Sequence, residues 1–318
     1  MSMIPTTIAI KIFSTQIAPI LLYVSEIWAP YANFDLKSWE QCEVERVHTQ
    51  FLKRIIGCDI HSPNLMAREE VGRRPLICDI ITRSTLYLKH VDSIQHSLAN
   101  LALDFELTQE DDTNILSLTR KFTPYYKSPD YPAPKDKDEI KKTVTYTYDT
   151  FWKSEMQGMS KSENYLLIKR NVGMEKYLKS VTNHRHKITS SCLRMSCHPL
   201  MIEKGRHSRP PIERTERKCP FCKDHIEDEC HFLITCPLYK DGRKVLFDEV
   251  TKTAPMFAII PTDRQKATYI FINEDDAVLS KLAEFIYNGF KKGQIFLNRI
   301  HKLYRTSFPI QNFVLIYI

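Results

Sequence analysis

LKSWEQCEVERVHTQFLKRIIG, residues 36–57, has the apolar spacing of an amphipathic helix. Its apolar side chains recur at steps of three to five residues, at Leu36, Trp39, Val44, Val47, Phe51 and Ile55. Asp35 is a residue type that caps helix N-termini, and Gly57 is the type that commonly follows a helix C-terminus. The stretch therefore predicts one helix between these two residues.

Helical patterns continue on both sides of this stretch. Residues 6–28 are apolar at almost every position, which predicts a helix covered on most sides. Helical patterns also cover residues 63–72, 75–91, 163–179 and 262–304. The chain contains 8 Gly in 318 residues and neither G-x-G-x-x-G nor G-x-x-x-x-G-K, which excludes the Gly-rich phosphate loops of nucleotide-binding folds. We expect a mainly α fold.

Changes in composition divide the chain into six segments. Residues 108–142 are rich in Pro, Lys and Asp and predict a linker. Residues 143–152 alternate Val, Tyr and Phe, so strand and helix both fit there. The six segments are a helical unit at 1–107, the linker at 108–142, a helical segment at 143–182, a basic stretch with a Cys/His cluster at 183–240, a C-terminal helical segment at 241–305 and an apolar tail at 306–318.

The net charge of +7 is concentrated in residues 183–218, here called the basic stretch. This stretch has nine Lys or Arg and three acids, a difference of +6. The nine are Arg185, Lys187, Arg194, Lys204, Arg206, Arg209, Arg214, Arg217 and Lys218. Clustering of this kind is typical of a surface that faces phosphates.

CPFCKDHIEDECHFLITC, residues 219–236, spaces Cys and His as C-x2-C-x8-H-x4-C. Two Cys separated by two residues can point both sulfurs at one ion, and a His and a Cys about one helical turn apart can complete a tetrahedron. Three thiolates and one imidazole favour Zn²⁺. Since four protein ligands leave no position for water, we predict one structural Zn²⁺ bound by Cys219, Cys222, His231 and Cys236.

Two nearby residues are alternative ligands. Cys230 adjoins His231, and His225 gives a rival C-x2-C-x2-H spacing. His231 is preferred because the two apolar residues that follow it can then pack beneath the ion. We expect the metal to order residues 212–240 and little else, because so short a segment cannot bury enough apolar surface alone.

The basic stretch and residues 219–236 together resemble a known family. Residues 193–206 read LRMSCHPLMIEKGR. They are similar to the pattern L-R-x-S-x-H-x-L-x-I-E-x-G-R, which precedes a CCHC zinc knuckle after the polymerase domain of non-LTR (LINE-type) retrotransposon reverse transcriptases. Upstream, ILLYVSEIW at 20–28 resembles the family's LLYGSEVW segment, with Val24 in place of the usual Gly. The resemblance is collinear from about residue 12 to about residue 295.

The resemblance implies a fragment without catalysis. Polymerases of this class use paired aspartates, written Y/F-x-D-D in the family, to bind two metal ions, and the chain has no such motif. NEDD at 273–276 is expected to be a surface turn before the last helix. We therefore expect no enzymatic activity. The expected partner is RNA or DNA, because the resemblance implies that this region helps to position element RNA or target DNA.

Several aromatic residues and two other functions stay open at this point. Tyr125, Tyr126, Trp152 and His207 are candidates for stacking on unpaired bases, with packing as the alternative role of each. The zinc knuckle, residues 219–236, is acidic at Asp224, Glu227, Asp228 and Glu229, which favours a module that binds other proteins. The tail departs from the family pattern, which fits the translated relic of a mobile element without a selected function.

The sequence also indicates a location. Residues 12–28 are apolar, but a bilayer span needs about 18 uninterrupted apolar residues or more, and no secretory signal precedes them. We expect an intracellular protein, nuclear or cytoplasmic and not secreted, with reduced thiols. We expect neither a membrane contact nor a small-molecule substrate.

Overall fold

The structure is a computed structural model that describes residues 4–31, 36–108, 136–169 and 173–307. These residues form fifteen α-helices, short 3-10 and π-helical turns and no β-strand, which confirms the mainly α prediction. They divide into two compact units. Within the described ranges, unit 1 comprises residues 4–56, 60–166 and 173–175, and unit 2 comprises residues 57–59, 167–169 and 176–307. The predicted cap Asp35, the candidates Tyr125 and Tyr126, and the tail from 308 to 318 lie outside the described residues.

Unit 1 is built from helices of which α5 and α6 follow the predicted stretches 63–72 and 75–91 most closely. They are α1 (Thr6–Ile12), α2 (Ala18–Leu21), α3 (Ser25–Tyr31), α4 (Glu43–Ile56), α5 (Asn64–Glu70), α6 (Leu76–Ser93), α7 (Leu98–Thr108) and α8 (Lys137–Gln157), and α9 (Ser162–Ile168) begins in this unit. Helix α8 shows that residues 143–152 are helical. It begins at Lys137, inside the stretch predicted as a linker, because the Asp136 side chain caps it by accepting hydrogen bonds from two backbone N–H groups.

Two sequence predictions for unit 1 are wrong in part. Residues 36–57 do not form one helix, because extended backbone at Cys42 separates a 3-10 turn, Ser38–Gln41, from α4. The helical phase restarts after this break, which leaves Val47 46% exposed. Residues 6–28 contain the π-helical turn Phe13–Ile17 and are broken after Leu21, where Val24 has φ +52. Ile20 and Tyr23 are exposed rather than covered.

A buried polar network lies beside the core of unit 1, which includes Trp39 and the apolar face of α6. The Glu45 carboxylate accepts hydrogen bonds from Trp39 Nε1 at 2.8 Å, the Leu76 backbone N–H at 2.7 Å and Arg68 NH1 at 3.1 Å. Burial raises the pKa of Glu45, but the hydrogen bond and charge of His48 and the charge of Arg68 outweigh it, so this pKa is lowered. The buried charge is thereby compensated.

Unit 2 is organised by one long helix. Its helices are α10 (Tyr177–Ser180), α11 (His184–Arg194), α12 (Met201–His207), α13 (Lys240–Thr253), α14 (Asp263–Phe271) and α15 (Asp276–Ser307). Helices α10, α11 and α13 all pack on α15, whose buried face includes Leu279, Leu282, Phe285 and Ile286. The turn predicted at 273–276 caps α15, since the Asp275 side chain accepts hydrogen bonds from the Ala277 and Val278 N–H groups. None of the helices in the described residues combines the length and apolar character that crossing a bilayer requires.

Candidate metal centre

Four donor atoms of the zinc knuckle lie close together in unit 2. Cys219 Sγ is 3.8 Å from Cys236 Sγ, and Cys222 Sγ is 3.4 Å from His231 Nε2. Bonds of about 2.3 Å to sulfur and about 2.0 Å to nitrogen would place tetrahedral donors about 3.8 Å (S to S) and about 3.5 Å (S to N) apart. Both observed distances therefore match those across a tetrahedral metal ion.

The donors form two groups that share His231, and each group can hold a metal ion. Cys219, His231 and Cys236 form a buried group, whereas Cys222, His225 and His231 form a more exposed one. Within each group the ligand atoms lie within 4.8 Å of one another. Of the two alternative ligands from the sequence, Cys230 belongs to neither group and His225 belongs to the second. The four predicted ligands are thus close together, but they are divided between the two groups.

Two turns position these donors. The first is closed by a hydrogen bond from the Lys223 N–H to the Cys219 carbonyl at 2.9 Å. The second is the π-helical turn His231–Thr235, closed by the Cys236 N–H donating to the His231 carbonyl at 2.8 Å. An α-helical turn has 3.6 residues, so residues five apart point in different directions, whereas the wider π turn brings them together. The H-x4-C spacing therefore suits this type of turn.

The imidazole of His231 is held in an orientation that suits a ligand. Its Nδ1 is 2.9 Å from Thr235 Oγ1, and the His231 backbone N–H donates to Asp228 Oδ1 at 2.7 Å. With its proton on Nδ1, the ring donates to Thr235 and directs the Nε2 lone pair towards Cys222. A fixed tautomer of this kind is what metal-ligating His residues commonly need.

The pKa values of Cys219 and Cys236 are shifted in opposite directions. The hydrogen bond between them, with burial, raises the pKa of Cys219 to about 12. The same bond lowers the pKa of Cys236 below its ordinary value. Metal binding would require both sulfurs as thiolates and would therefore release the proton that this hydrogen bond uses.

Arg243 of α13 supports the second turn, and the sequence reasoning missed it. Its guanidinium donates to the carbonyls of Leu233 at 2.7 Å, Phe232 at 3.2 Å and Cys236 at 2.8 Å. The side chain is buried, and its three acceptors are two carbonyls of the π-helical turn and that of Cys236, which follows the turn. Charged hydrogen bonds from a planar fork fix the turn that presents His231 and Cys236.

The knuckle is packed against α15 rather than standing alone. Phe232 is fully buried, and its ring centroid lies 4.7 Å from that of Tyr239 and 5.3 Å from those of Phe285 and Phe290. Gly289 of α15 makes room for it, since a Cβ there would lie 2.7 Å from Phe232 Cζ. The apolar packing predicted after His231 is confirmed. The expectation that the metal orders residues 212–240 and little else stays a prediction, and the packing of Phe232 on α15 is the contact through which it can be tested.

Two of the four acids of the knuckle are buried and accept hydrogen bonds from the basic stretch. Glu227 accepts a hydrogen bond from the Met201 N–H at 2.8 Å. Glu229 accepts one from Ser196 Oγ at 3.0 Å and lies 2.9 Å from His198 Nε2. Burial raises the pKa of Glu229, but the charge and hydrogen bond of His198 dominate and lower this pKa to about 2. These carboxylates therefore join the basic stretch to the knuckle.

Five of the nine basic residues are exposed, and the other four are at least partly buried. The exposed residues are Arg185, Lys204, Arg209, Arg214 and Lys218, the half-buried ones are Lys187, Arg206 and Arg217, and Arg194 is buried. Many of the predicted phosphate contacts are therefore sterically available at the surface of unit 2.

Three arginines of the basic stretch have structural partners. Arg194 donates to the Phe271 carbonyl at 3.0 Å and lies over the Tyr177 ring, so the expectation that it contacts phosphate is wrong. Arg217 donates to the carbonyls of two neighbouring residues, at 2.9 and 3.0 Å. Arg206 pairs with Glu203 at 3.2 Å. These three side chains therefore contribute to the packing of unit 2.

The stacking candidates differ in exposure. Trp152 is half-buried and donates to the Leu65 carbonyl at 3.4 Å, which indicates a packing role. His207 has a 67% exposed side chain that lies 3.8 Å from Glu203. His207 is therefore accessible to solvent, whereas Trp152 is packed against its neighbours in unit 1.

Comparison of the chain with protein-family models, with curated proteins and with solved structures finds no match.

Proposed function

We propose that this chain is a zinc-stabilised, nucleic-acid-binding fragment of a retrotransposon reverse transcriptase, without polymerase activity of its own. One Zn²⁺ per chain would be bound by Cys219, Cys222, His231 and Cys236. Its role would be structural, since these four donors occupy all the coordination positions of a tetrahedral ion. The collinear sequence resemblance supports the retrotransposon origin. The distances between the donor atoms support the ligand set.

One observation carries the nucleic-acid proposal. Glu227 and Glu229 are buried and engaged with the basic stretch, whereas Lys204, Arg209 and Lys218 are exposed. The exposed side chains near the knuckle therefore include these three cations, while two of the four knuckle acids are withdrawn from the surface. Such a surface attracts the phosphate backbone of RNA or DNA through charge and counterion release.

A salt titration tests this proposal. Replacing Lys204, Arg209 and Lys218 together by Ala should weaken binding of unrelated sequences equally, because phosphate contacts do not read bases. The slope of log K against log salt should become shallower by about 2, at about 0.7 per phosphate lost on a single strand.

A matched control removes the same charge from unit 1, through Ala at the exposed residues Lys141, Lys142 and Lys153. This control variant should bind as the wild type does. Equal losses in both triple variants would show a nonspecific effect of net charge. Binding that is insensitive to salt would contradict the proposal.

A protein-binding module is the second candidate. Helix α7 exposes Leu98, Leu101 and Phe105, which lie on one helical face. Exposed apolar residues at this spacing are typical of a helix that packs on a partner. Absence of salt-dependent nucleic-acid binding, together with a protein complex lost on Phe105→Ser, would favour this candidate.

A further inference from the structure

The knuckle carries an aromatic side chain on its outer side. Phe221 lies between the ligands Cys219 and Cys222 in the sequence and is 38% exposed. Its ring meets that of Phe296 edge to face, with centroids 5.1 Å apart. The contact uses only part of the ring, so some of its surface faces solvent. Neither ligation nor the buried packing around Phe232 requires an aromatic residue here.

Phe221 and a cation line the same crevice. This crevice, between the knuckle and α15, is lined by residues that include Lys204, Pro220, Phe221, Gln294 and Phe296. Its enclosed volume is about 30 Å³, room for about one water molecule. A ligand would therefore lie on the aromatic surface rather than enter a pocket. An exposed lysine beside an exposed ring suits a flat group attached to an anion.

We propose that Phe221 is a stacking platform for an unpaired base of single-stranded RNA or DNA, and that Lys204 contacts the adjoining phosphate. This inference rests on the proposed function and specifies its substrate class. Every base has a π-face, so such a site tolerates sequence variation. In a duplex those faces are covered by neighbouring base pairs, so the site selects single strands.

The metal site gives this platform its rigidity. Phe221 is held between two ligands, in a turn closed by the hydrogen bond from Lys223 to Cys219. A ring already fixed before binding loses little conformational entropy when a base stacks on it. The Phe296 ring supports it from α15.

The experiment uses the full zinc-loaded chain and fluorescently labelled oligonucleotides. Affinities for a single-stranded RNA, the matching DNA strand and the corresponding duplex are measured by anisotropy. Phe221→Ala and Phe221→Leu should each lose affinity for single strands about tenfold, the usual effect of one lost stacking contact, with duplex affinity unchanged. Phe221→Leu keeps an apolar contact with Phe296 and so separates stacking from packing.

Phe221→Trp supplies a direct readout. It should keep single-strand affinity, and its fluorescence should be quenched when a base stacks on the indole, relative to the wild type with its three tryptophans. Ile259→Ala, an exposed apolar residue elsewhere in unit 2, should change nothing. Zinc content and thermal midpoint are recorded for every variant.

The outcomes separate this inference from the proposed function. Wild-type single-strand affinity in both Phe221→Ala and Phe221→Leu would overturn the stacking role while leaving the phosphate surface intact. Equal losses for single strands and duplex would also overturn it. A wild-type protein that binds no nucleic acid would refute both proposals. Loss for RNA and DNA alike supports stacking on the base, and loss for RNA alone supports stacking with selection of RNA.

Discussion

Phe232 tests whether metal binding and the packing of unit 2 are one cooperative event. The side chain is fully buried among the rings of Tyr239, Phe285 and Phe290. Replacing a buried Phe by Ala costs about 3–5 kcal/mol, from lost burial and from the cavity left behind. If the metal-free knuckle is unfolded, this packing forms only when zinc binds, and its free energy is part of the binding free energy. Phe232→Ala should then weaken zinc binding by about a hundredfold to a few thousandfold.

Competition with a fluorescent zinc chelator measures the affinity, and urea unfolding measures the stability. The matched control is Phe257→Ala. Phe257 is 3% exposed and packs against Phe247 and Tyr269, so its loss should cost similar stability. Among the described residues its ring contacts are with Phe247 and Tyr269 and not with Phe232, so zinc affinity should stay at the wild-type value. Wild-type zinc affinity in Phe232→Ala would show that the knuckle folds independently of α15.

Three further predictions concern single positions. Val24→Gly should raise the thermal midpoint of unit 1, because Val24 has φ +52 and relief of this strain is worth about 1 kcal/mol. Tryptophan fluorescence measures the midpoint. An unchanged or lower midpoint would count against strain at Val24. The pKa of Glu45 is lower in the folded state than its ordinary value of 4.5, so its ionisation stabilises unit 1 above pH 4.5. Unit 1 should lose this stability as pH falls from 4.5 through the folded-state pKa. Glu45→Gln should flatten this acid dependence in urea unfolding, and an unaltered slope would exclude Glu45 as its source. Arg243→Lys should weaken zinc binding and destabilise unit 2 by about 2 kcal/mol, because an ammonium cannot reach three carbonyls. Calorimetry measures the stability and chelator competition measures the zinc affinity. Wild-type values of both would show that Arg243 does not support the turn His231–Thr235.

Helix ends that depend on local backbone chemistry could be predicted from the sequence. Pro75 directly precedes α6, and Gly57 and Gly72 have φ of +69 and +64, values that favour glycine. At position 57 a Cβ would also lie 2.3 Å from Ile188 Cγ1. By contrast, the exposure of Val47 depends on a break in the helix at Cys42, which periodicity alone does not reveal.

At Val24 the sequence pattern and the backbone conformation can be compared directly. The resembling family has Gly at this position, and the structure gives Val24 a positive φ, the conformation in which glycine is favoured. The positive φ therefore explains the Gly of the family pattern, without any chemical role for a side chain at this position. In this chain the β-branched side chain remains at that position at a local cost.

The ligand types of the candidate site could be predicted because C-x2-C and H-x4-C spacings are properties of local turns. The role of Arg243 could not, because it depends on three carbonyls that only the folded chain brings within reach of one guanidinium. Charge counting also failed for Glu227 and Glu229, since it takes no account of burial. His198, near the middle of the basic stretch, pairs with Glu229, but its sequence position does not reveal that it is buried.

The zinc content of the purified protein and its variants tests the central claim most directly. Elemental analysis should find one zinc per chain in the wild type and none in Cys222→Ser. Cys230→Ser and His225→Ala should both retain it, because neither residue belongs to the proposed tetrahedral set. Full zinc occupancy in Cys222→Ser, or loss of zinc in Cys230→Ser with retention in His231→Ala, would contradict the site.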